Sequence, residues 1–260
     1  MLDFHNHLMP GVDDGAADIE ESRGGLRTLQ DHGLRRIITT PHLRASGTHR
    51  PHELARTLDI IDQAWAALKS LATAEFPSLL VDRGVELMLD IPHPVLDDPR
   101  VRLAGTSFVL VEFPFMSIPP QSTNAVREIT RGGVTPVIAH PERYDGMSSS
   151  YELVESWKDA GALIQVNSGS LLGYYGSRPE RLAWSILRDG LADYLSSDYH
   201  SRGKCAVGPC TEMMRSRDAE CEYQLLTVTN PERLVAGEFP LPVPRVTPVE
   251  PMWKRVLSWR

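Results

Sequence analysis

An α/β fold whose mainly parallel sheet closes into a barrel is predicted by three observations in this 260-residue chain. Short apolar or β-branched runs alternate with segments of helical periodicity, glycines punctuate the ends of the helix-like segments, and histidines and carboxylates recur just past the runs. Alternation of this length implies parallel pairing, because parallel neighbours need a crossover, and closing the sheet leaves no edge exposed. Such a barrel carries its chemistry at the C-terminal ends of its strands.

The first run, residues 1–4, alternates apolar and polar and leads into His5-Asn6-His7, whose two imidazoles project from the same side of a strand. Taken alone, that pair is as consistent with chance as with a shared metal. Pro10-Gly11-Val12-Asp13-Asp14-Gly15 then reads as a tight loop, in which Asp14 is equally a turn residue. Asp18 stands three residues before Glu21 as a capping-box-like start, and Ile19, Leu26 and Leu29 continue at helical spacing until Gly33. Residues 36–40 are a β-branched strand that stops at Pro41, leaving His42 in a loop just past it. Leu54, Leu58, Ile61, Trp65, Leu68 and Ala72 predict a helix over 51–74.

Further strands are predicted at 79–86, 108–113, 135–139, 162–166 and 193–197, with helices at 121–131, 151–160 and 179–188. That makes about seven strands. Beyond Cys210 the pattern thins to a helix over 212–218, an apolar stretch at 221–229 and a short capped helix at 230–234. Prolines recur between 239 and 251, so residues 1–238 read as one domain and 239–260 as an extended tail. Its amphipathic end, with Trp253, Val256, Leu257 and Trp259, is expected to dock back on the body.

A net charge of −7 speaks against extended nucleic-acid binding, and no apolar run approaches the roughly 20 residues that span a bilayer. The N-terminus lacks a basic-then-apolar leader, and three cysteines without framework spacing do not describe a secreted disulfide scaffold. A cytoplasmic location is expected.

The candidate ligands fall at the strand ends. His5 and His7 end the first strand, His42 follows the second, Glu86 and Glu112 end the third and fourth, His140 follows the fifth, and Asp198 and His200 follow the last. A carboxylate such as Glu86 or Glu112 among apolar neighbours is costly to bury unless a cation accompanies it. His140 alone reads equally as a satisfied core histidine, and His32, His49, His52 and His93 read as surface residues. Together with Asp14 the candidates exceed the four partners of a single zinc and suit two or three divalent ions bridged by carboxylates. Mixed nitrogen and oxygen donors favour manganese, iron or zinc over magnesium. Such centres promote phosphoester hydrolysis by lowering the pKa of a water to about 7 and binding phosphoryl oxygens.

His5-Asn6-His7, Pro10 to Gly15, Thr40-Pro41-His42, Val85-Glu86, Val111-Glu112-Phe113-Pro114, Ala139-His140-Pro141-Glu142-Arg143-Tyr144 and Ser197-Asp198-Tyr199-His200 resemble the motifs of the polymerase and histidinol phosphatase (PHP) superfamily. Within it they are most similar to the bacterial manganese-dependent protein-tyrosine phosphatases of the capsular and exopolysaccharide type, in order from about residue 1 to 234. The resemblance implies a distorted seven-stranded (β/α)7 TIM-like barrel holding Mn2+, with iron or zinc as alternatives. It implies His5, His7, Glu86 and Asp198 on a first ion, Glu86 bridging to a second held by Glu112 and His140, and Asp14, His42 and His200 on a third. Arg143 would bind the phosphate as a fork, and Arg202 is a candidate second phosphate ligand, although the chain departs from the family pattern after His200.

The reaction expected is that of a phosphoric monoester hydrolase: direct attack on phosphorus by a metal-bridging hydroxide, aided by His42 or His200 through water. No cysteine begins a Cys-x5-Arg loop, since Cys205, Cys210 and Cys221 are followed six positions later by Thr211, Ser216 and Thr227. The implied substrate is a phosphotyrosine-containing protein, the tail of a bacterial tyrosine autokinase, and association into an oligomer is left open. The alternatives are a small-molecule phosphomonoesterase of the histidinol-phosphate type, a nuclease, or a non-catalytic phosphopeptide-binding module.

Overall fold

Strands and helices alternate through the computed structural model, which describes residues 1–147 and 152–246. The order is β1 (Leu2–Asp3), α1 (Ile19–Asp31), β2 (Arg36–Thr39), β3 (His42–Arg44), α2 (Pro51–Glu75), β4 (Leu80–Arg83), β5 (Glu86–Met88), β6 (Phe108–Glu112), α3 (Ser122–Arg131), β7 (Thr135–Ala139) and α4 (Glu152–Asp159). Then come β8 (Leu163–Asn167), α5 (Ser168–Leu171), α6 (Ser177–Arg188), β9 (Tyr194–Ser196), α7 (Val207–Ser216), α8 (Glu220–Gln224) and α9 (Asn230–Val235), the last two joined by a π-turn. Every strand pair is parallel, in the orders β1-β2-β4 and β3-β5-β6-β7-β8-β9.

The ladder therefore holds two more strands than the seven expected, and the reason is local. The runs at 36–40 and 79–86 each continue through a break into a second short strand. Pro41 has no N–H to donate, and Gly84 presses so close to Leu103 that a Cβ there would lie 3.1 Å from its Cα. Register survives the break: Thr39 faces Arg83 before it, and His42 faces Glu86 after it. His42 thus opens β3 instead of sitting in a loop. At the other side, Asn6 forms a parallel bridge to Tyr199, with Asp198 N donating to His5 O at 2.7 Å and His7 N to Tyr199 O at 2.9 Å.

Alternating side chains feed two cores. Phe108 and Leu110 of β6, with Val137 and Ala139 of β7, join Leu2, Phe4, Ile38, Tyr194 and Leu234 on one face of the strands. Val109, Val111 and Ile138 face the helices, where Leu26, Leu58, Leu68, Val126, Trp157 and Leu187 meet them. Helix α1 begins as its sequence suggests: Asp18 accepts from Glu20 N and Glu21 N, and Ala17 N donates to Glu21 at 2.9 Å. Helix α7 starts earlier than expected. Pro209 in its first turn costs no hydrogen bond, and Val207, Cys210 and Met214 bury one stripe at helical spacing.

The Pro-rich segment starts on the body of the protein. Asn230 grips Leu241 through two hydrogen bonds of 2.8 and 3.0 Å, and Val246 is buried. The amphipathic end at 252–260 and the expected helix start at 151 lie outside the described residues. Among the described residues no helix is long and apolar enough to cross a membrane.

Candidate metal centre

All nine candidate ligands meet around the carboxylate of Glu86, which opens β5 instead of ending the strand expected at 79–86, just as His42 opens β3. Its oxygens stand 3.2 Å from His5 Nε2, 3.4 Å from His7 Nε2, 3.2 Å from His42 Nδ1 and 3.1 Å from His140 Nε2. Asp198 Oδ1 lies 3.3 Å from His5 Nε2, 3.4 Å from His7 Nε2 and 3.5 Å from His200 Nδ1. Glu112 reaches His42 Nδ1 at 3.3 Å, and Asp14 stands 3.4 Å from His42 Nε2 and 3.5 Å from His200 Nε2.

The local structure explains why these residues converge. Parallel β3 and β5 set His42 opposite Glu86, and β5 beside β6 sets Met88 opposite Glu112. Buried Asp3 accepts from Ser197 N at 2.9 Å and Ser197 Oγ at 2.6 Å, locking the end of β1 to the end of β9 and so His5 to Asp198. Gly15 is required where the aspartate loop folds under His7, because a Cβ there would fall 2.0 Å from His7 O. His140 (φ 35°) and Asp198 (φ 52°) both adopt left-handed backbone at the strand ends, a conformation costing on the order of 1–3 kcal/mol that clusters at functional sites.

The imidazoles are oriented from behind. His5 Nδ1 bonds Gln165 Oε1 at 2.9 Å, His7 Nδ1 bonds Asp13 Oδ2 at 2.7 Å, and His200 Nδ1 bonds the Asp198 carbonyl at 2.9 Å. The inward nitrogens His5 Nε2, His7 Nε2 and His42 Nδ1 are buried without a hydrogen-bond partner, although carboxylate oxygens stand close by. Orphaned imidazole nitrogens facing carboxylates, with those of His5 and His7 backed by an outer hydrogen bond, are the donor set of a divalent metal centre. These residues fit the group.

Without ions the charges polarise one another. Burial works to lower the pKa of His42, yet the Glu112 and Glu86 carboxylates outweigh it and push it up to about 10. Burial likewise works to raise Glu86 and Asp198, but the surrounding histidines hold both well below the usual carboxylate range. His200 goes the other way, lowered by burial and by the neighbouring His7.

Among the described residues, four sets of ligand atoms lie close enough to share an ion: His7, Asp14, His42 and His200; His5, His140 and Asp198; His5, His7 and Glu86; and His42, Glu86 and Glu112. These sets overlap, sharing His5, His7, His42 and Glu86. His140 lies within reach of His5 and Asp198 as well as of Glu86, and His42 within reach of Glu86 and Glu112 as well as of Asp14 and His200. Arg143 sits on the rim, its Nη1 donating to Asp198 Oδ2 and its guanidinium 4.4 Å over the Tyr175 ring. Arg202, 59% exposed, donates from Nη2 to the Asp14 and Gly15 carbonyls at 2.9 and 2.6 Å, so its fork braces the aspartate loop.

Three participants escaped the sequence reading: Asp13, Gln165 and Asn167, the last donating to Asp198 Oδ2 at 2.9 Å. A signal existed for two of them. Gln165 and Asn167 are polar residues two apart in the otherwise apolar run Leu163-Ile164-Gln165-Val166-Asn167, which puts both on one face of a buried strand. Asp13 carried no signal that separated it from Asp14.

The chain matches the family described as "Capsular polysaccharide synthesis, CpsB/CapC" over residues 1–236. It is 29% identical over 202 residues to the tyrosine-protein phosphatase YwqE of Bacillus subtilis, covering 77% of this chain and 78% of that protein. It is 28% identical over 210 residues to the tyrosine-protein phosphatase CpsB of Streptococcus agalactiae, covering 77% and 83%. Its fold is similar to that in crystal structures of YwqE from Bacillus subtilis and CpsB from Streptococcus pneumoniae, described as metal-dependent tyrosine phosphatases, with a TM-score of 0.75 at 24% identity over 96% of this chain and 100% of the other.

Proposed function

Because the chain belongs to the CpsB/CapC family of capsular polysaccharide synthesis, we propose that it is a metal-dependent protein-tyrosine phosphatase. The single observation that carries this reading is the convergence of nine histidine and carboxylate side chains, three of them with orphaned inward nitrogens, beneath one forked guanidinium. His5, His7, Asp14, His42, Glu86, Glu112, His140, Asp198 and His200 would hold two or three divalent ions, Mn2+ in our reading. When bound, such ions supply Lewis acidity and lower the pKa of the attacking water.

The chain's own groups do the rest. Arg143 stands beside Asp198 at the mouth of the cluster, placed to take two phosphate oxygens in a fork that lysine could not match. His42 and His200 are the half-exposed imidazoles and face the rim through Asp14, where either can pass a proton to or from solvent. A phenolate leaving group, of pKa near 10, departs without full prior protonation, so no strong general acid is needed. Arg202 in this reading acts on phosphate through the loop it braces, or directly once its fork swings free.

We read the fold as a distorted seven-stranded (β/α)7 barrel. Support comes from counting β2 with β3 and β4 with β5 as two bent strands, and from the Asn6–Tyr199 bridge that joins the last strand to the first. The catalytic domain is residues 1–238, in keeping with a family match that ends at 236. The three cysteines are unpaired, which suits the reducing cytoplasm, and the substrate proposed there is the phosphotyrosine tail of a tyrosine autokinase. The test is phosphate release from a phosphotyrosine peptide, with metal analysis of protein purified without chelator. Release with manganese that stops on chelation is expected; no release with any divalent ion would sink the proposal.

A further inference from the structure

A groove of about 540 Å³ opens beside the cluster, and its walls hold two tyrosines that the metal chemistry does not use. Tyr174 and Tyr175 are partly exposed, at 41% and 39%, on a turn held by Gly173 (φ 73°) and Gly176 (φ 96°). Both rings rest on Gly169, where a Cβ would meet Tyr175 Cε2 at 3.0 Å and Tyr174 Cδ2 at 3.4 Å, and Tyr174 N donates to Gly169 O at 3.0 Å. The pair is therefore seated on the backbone that follows β8 and carries Asn167, a partner of Asp198. Opposite stand Lys204, its Nζ 5.9 Å from the Tyr174 ring, and Arg202.

Resting on the phosphatase reading above, we propose that Tyr174 and Tyr175 select aryl phosphates, with Tyr174 packing the substrate's phenyl ring and Tyr175 positioning Arg143 for the phosphate. The Arg143 guanidinium has one face on the Tyr175 ring and one edge on Asp198, which leaves its remaining donors directed by that stack. An anion held by Arg143 beside Asp198 carries its substituent out into the groove. There an aromatic body meets the Tyr174 face under a cationic rim, whereas an alkyl body has little surface to offer. Aromatic pairing adds enough beyond simple burial to give a preference of roughly tenfold.

Non-hydrolysable probes separate this proposal from turnover. Phenylphosphonate and methylphosphonate, titrated calorimetrically into manganese-loaded protein, share one charged head and differ in the group that would touch Tyr174. The wild type is expected to prefer phenylphosphonate by about tenfold. Tyr174→Leu should cut that preference to below about threefold while methylphosphonate affinity holds. Tyr175→Leu should weaken both probes by about fivefold or more through Arg143, and Tyr175→Phe, which keeps the stack, should restore both. Absence of a preference in the wild type, an unchanged preference in Tyr174→Leu, equal loss of both probes in Tyr174→Leu, or unchanged affinities in Tyr175→Leu would each overturn the proposal. A protein that shows the preference yet releases no phosphate from a phosphotyrosine peptide would instead retire the catalytic reading and leave the aryl wall standing.

Discussion

The two ends of the same parallel strands are built to opposite rules. Toward the N-terminal side, Leu2, Phe108 and Tyr194 open β1, β6 and β9 and are almost wholly buried, joined along the same face by Phe4, Ile38 and Val137, with Leu234 of α9 packed on them. Toward the C-terminal side, His5, His7, Glu86, His140 and Asp198 are just as buried, yet bring charge, orphaned nitrogens and left-handed backbone. An apolar plug gains free energy by leaving water, and a carboxylate loses it unless a cation stands beside it. The difference teaches that the strands hold their shape from below and can therefore carry an unfavourable, cation-seeking cluster above.

The sharpest way to break this comparison is at Glu86, where four histidines meet. Glu86→Gln should reduce phosphotyrosine hydrolysis to background while far-UV circular dichroism stays that of the wild type; retained turnover would show that the cluster is not the site. At the opposite end, Phe108→Ala should cost about 3–5 kcal/mol in urea unfolding yet leave kcat per folded molecule nearly unchanged. A large drop in kcat at unchanged stability would mean that the two ends are not separable.

Smaller effects sharpen the boundary. Gln165→Leu removes the partner of His5 Nδ1 and should weaken metal binding by about 10–100-fold, read by competition with a fluorescent chelator, with only a modest change in melting temperature. An equal affinity would place Gln165 among the merely structural residues. Charge linkage gives the mildest signal. His42 is protonated at neutral pH in the metal-free protein because its pKa is pushed up to about 10, and a ligand imidazole must be neutral. Metal binding should therefore release protons, and apparent affinity should rise with pH until His42 is neutral near pH 10, which titration in buffers of different ionisation enthalpy would detect. Metal affinity that falls across that range would contradict the assignment of His42.

The nine candidate ligands and the strand–helix alternation were legible without coordinates because both depend on local pattern. An apolar run ending at Glu112, or one ending just before His140, places a polar residue at a strand end, whatever the rest of the chain does. The supporting residues were less legible: nothing in the spacing of Asp13 marks it as the partner of His7, and Gln165 lies 160 positions from the imidazole it orients. The stop at Pro41 was legible, but not the strand that resumes at His42, and the break at Gly84 was hidden because it depends on Leu103 pressing from another segment.

By itself, then, the sequence determined which side chains could bind metal and which faces of the strands are apolar, because covalent spacing and the period of a strand decide both. Only the tertiary structure decided which ligand atoms come within reach of one another, His140 with His5 and Asp198 as well as Glu86, and His42 with Glu86 and Glu112 as well as Asp14 and His200. It also decided that Arg202 braces a loop and that Tyr175 lies under Arg143. Those are distances between segments far apart in the chain, set by strand register and packing, and no local pattern encodes them.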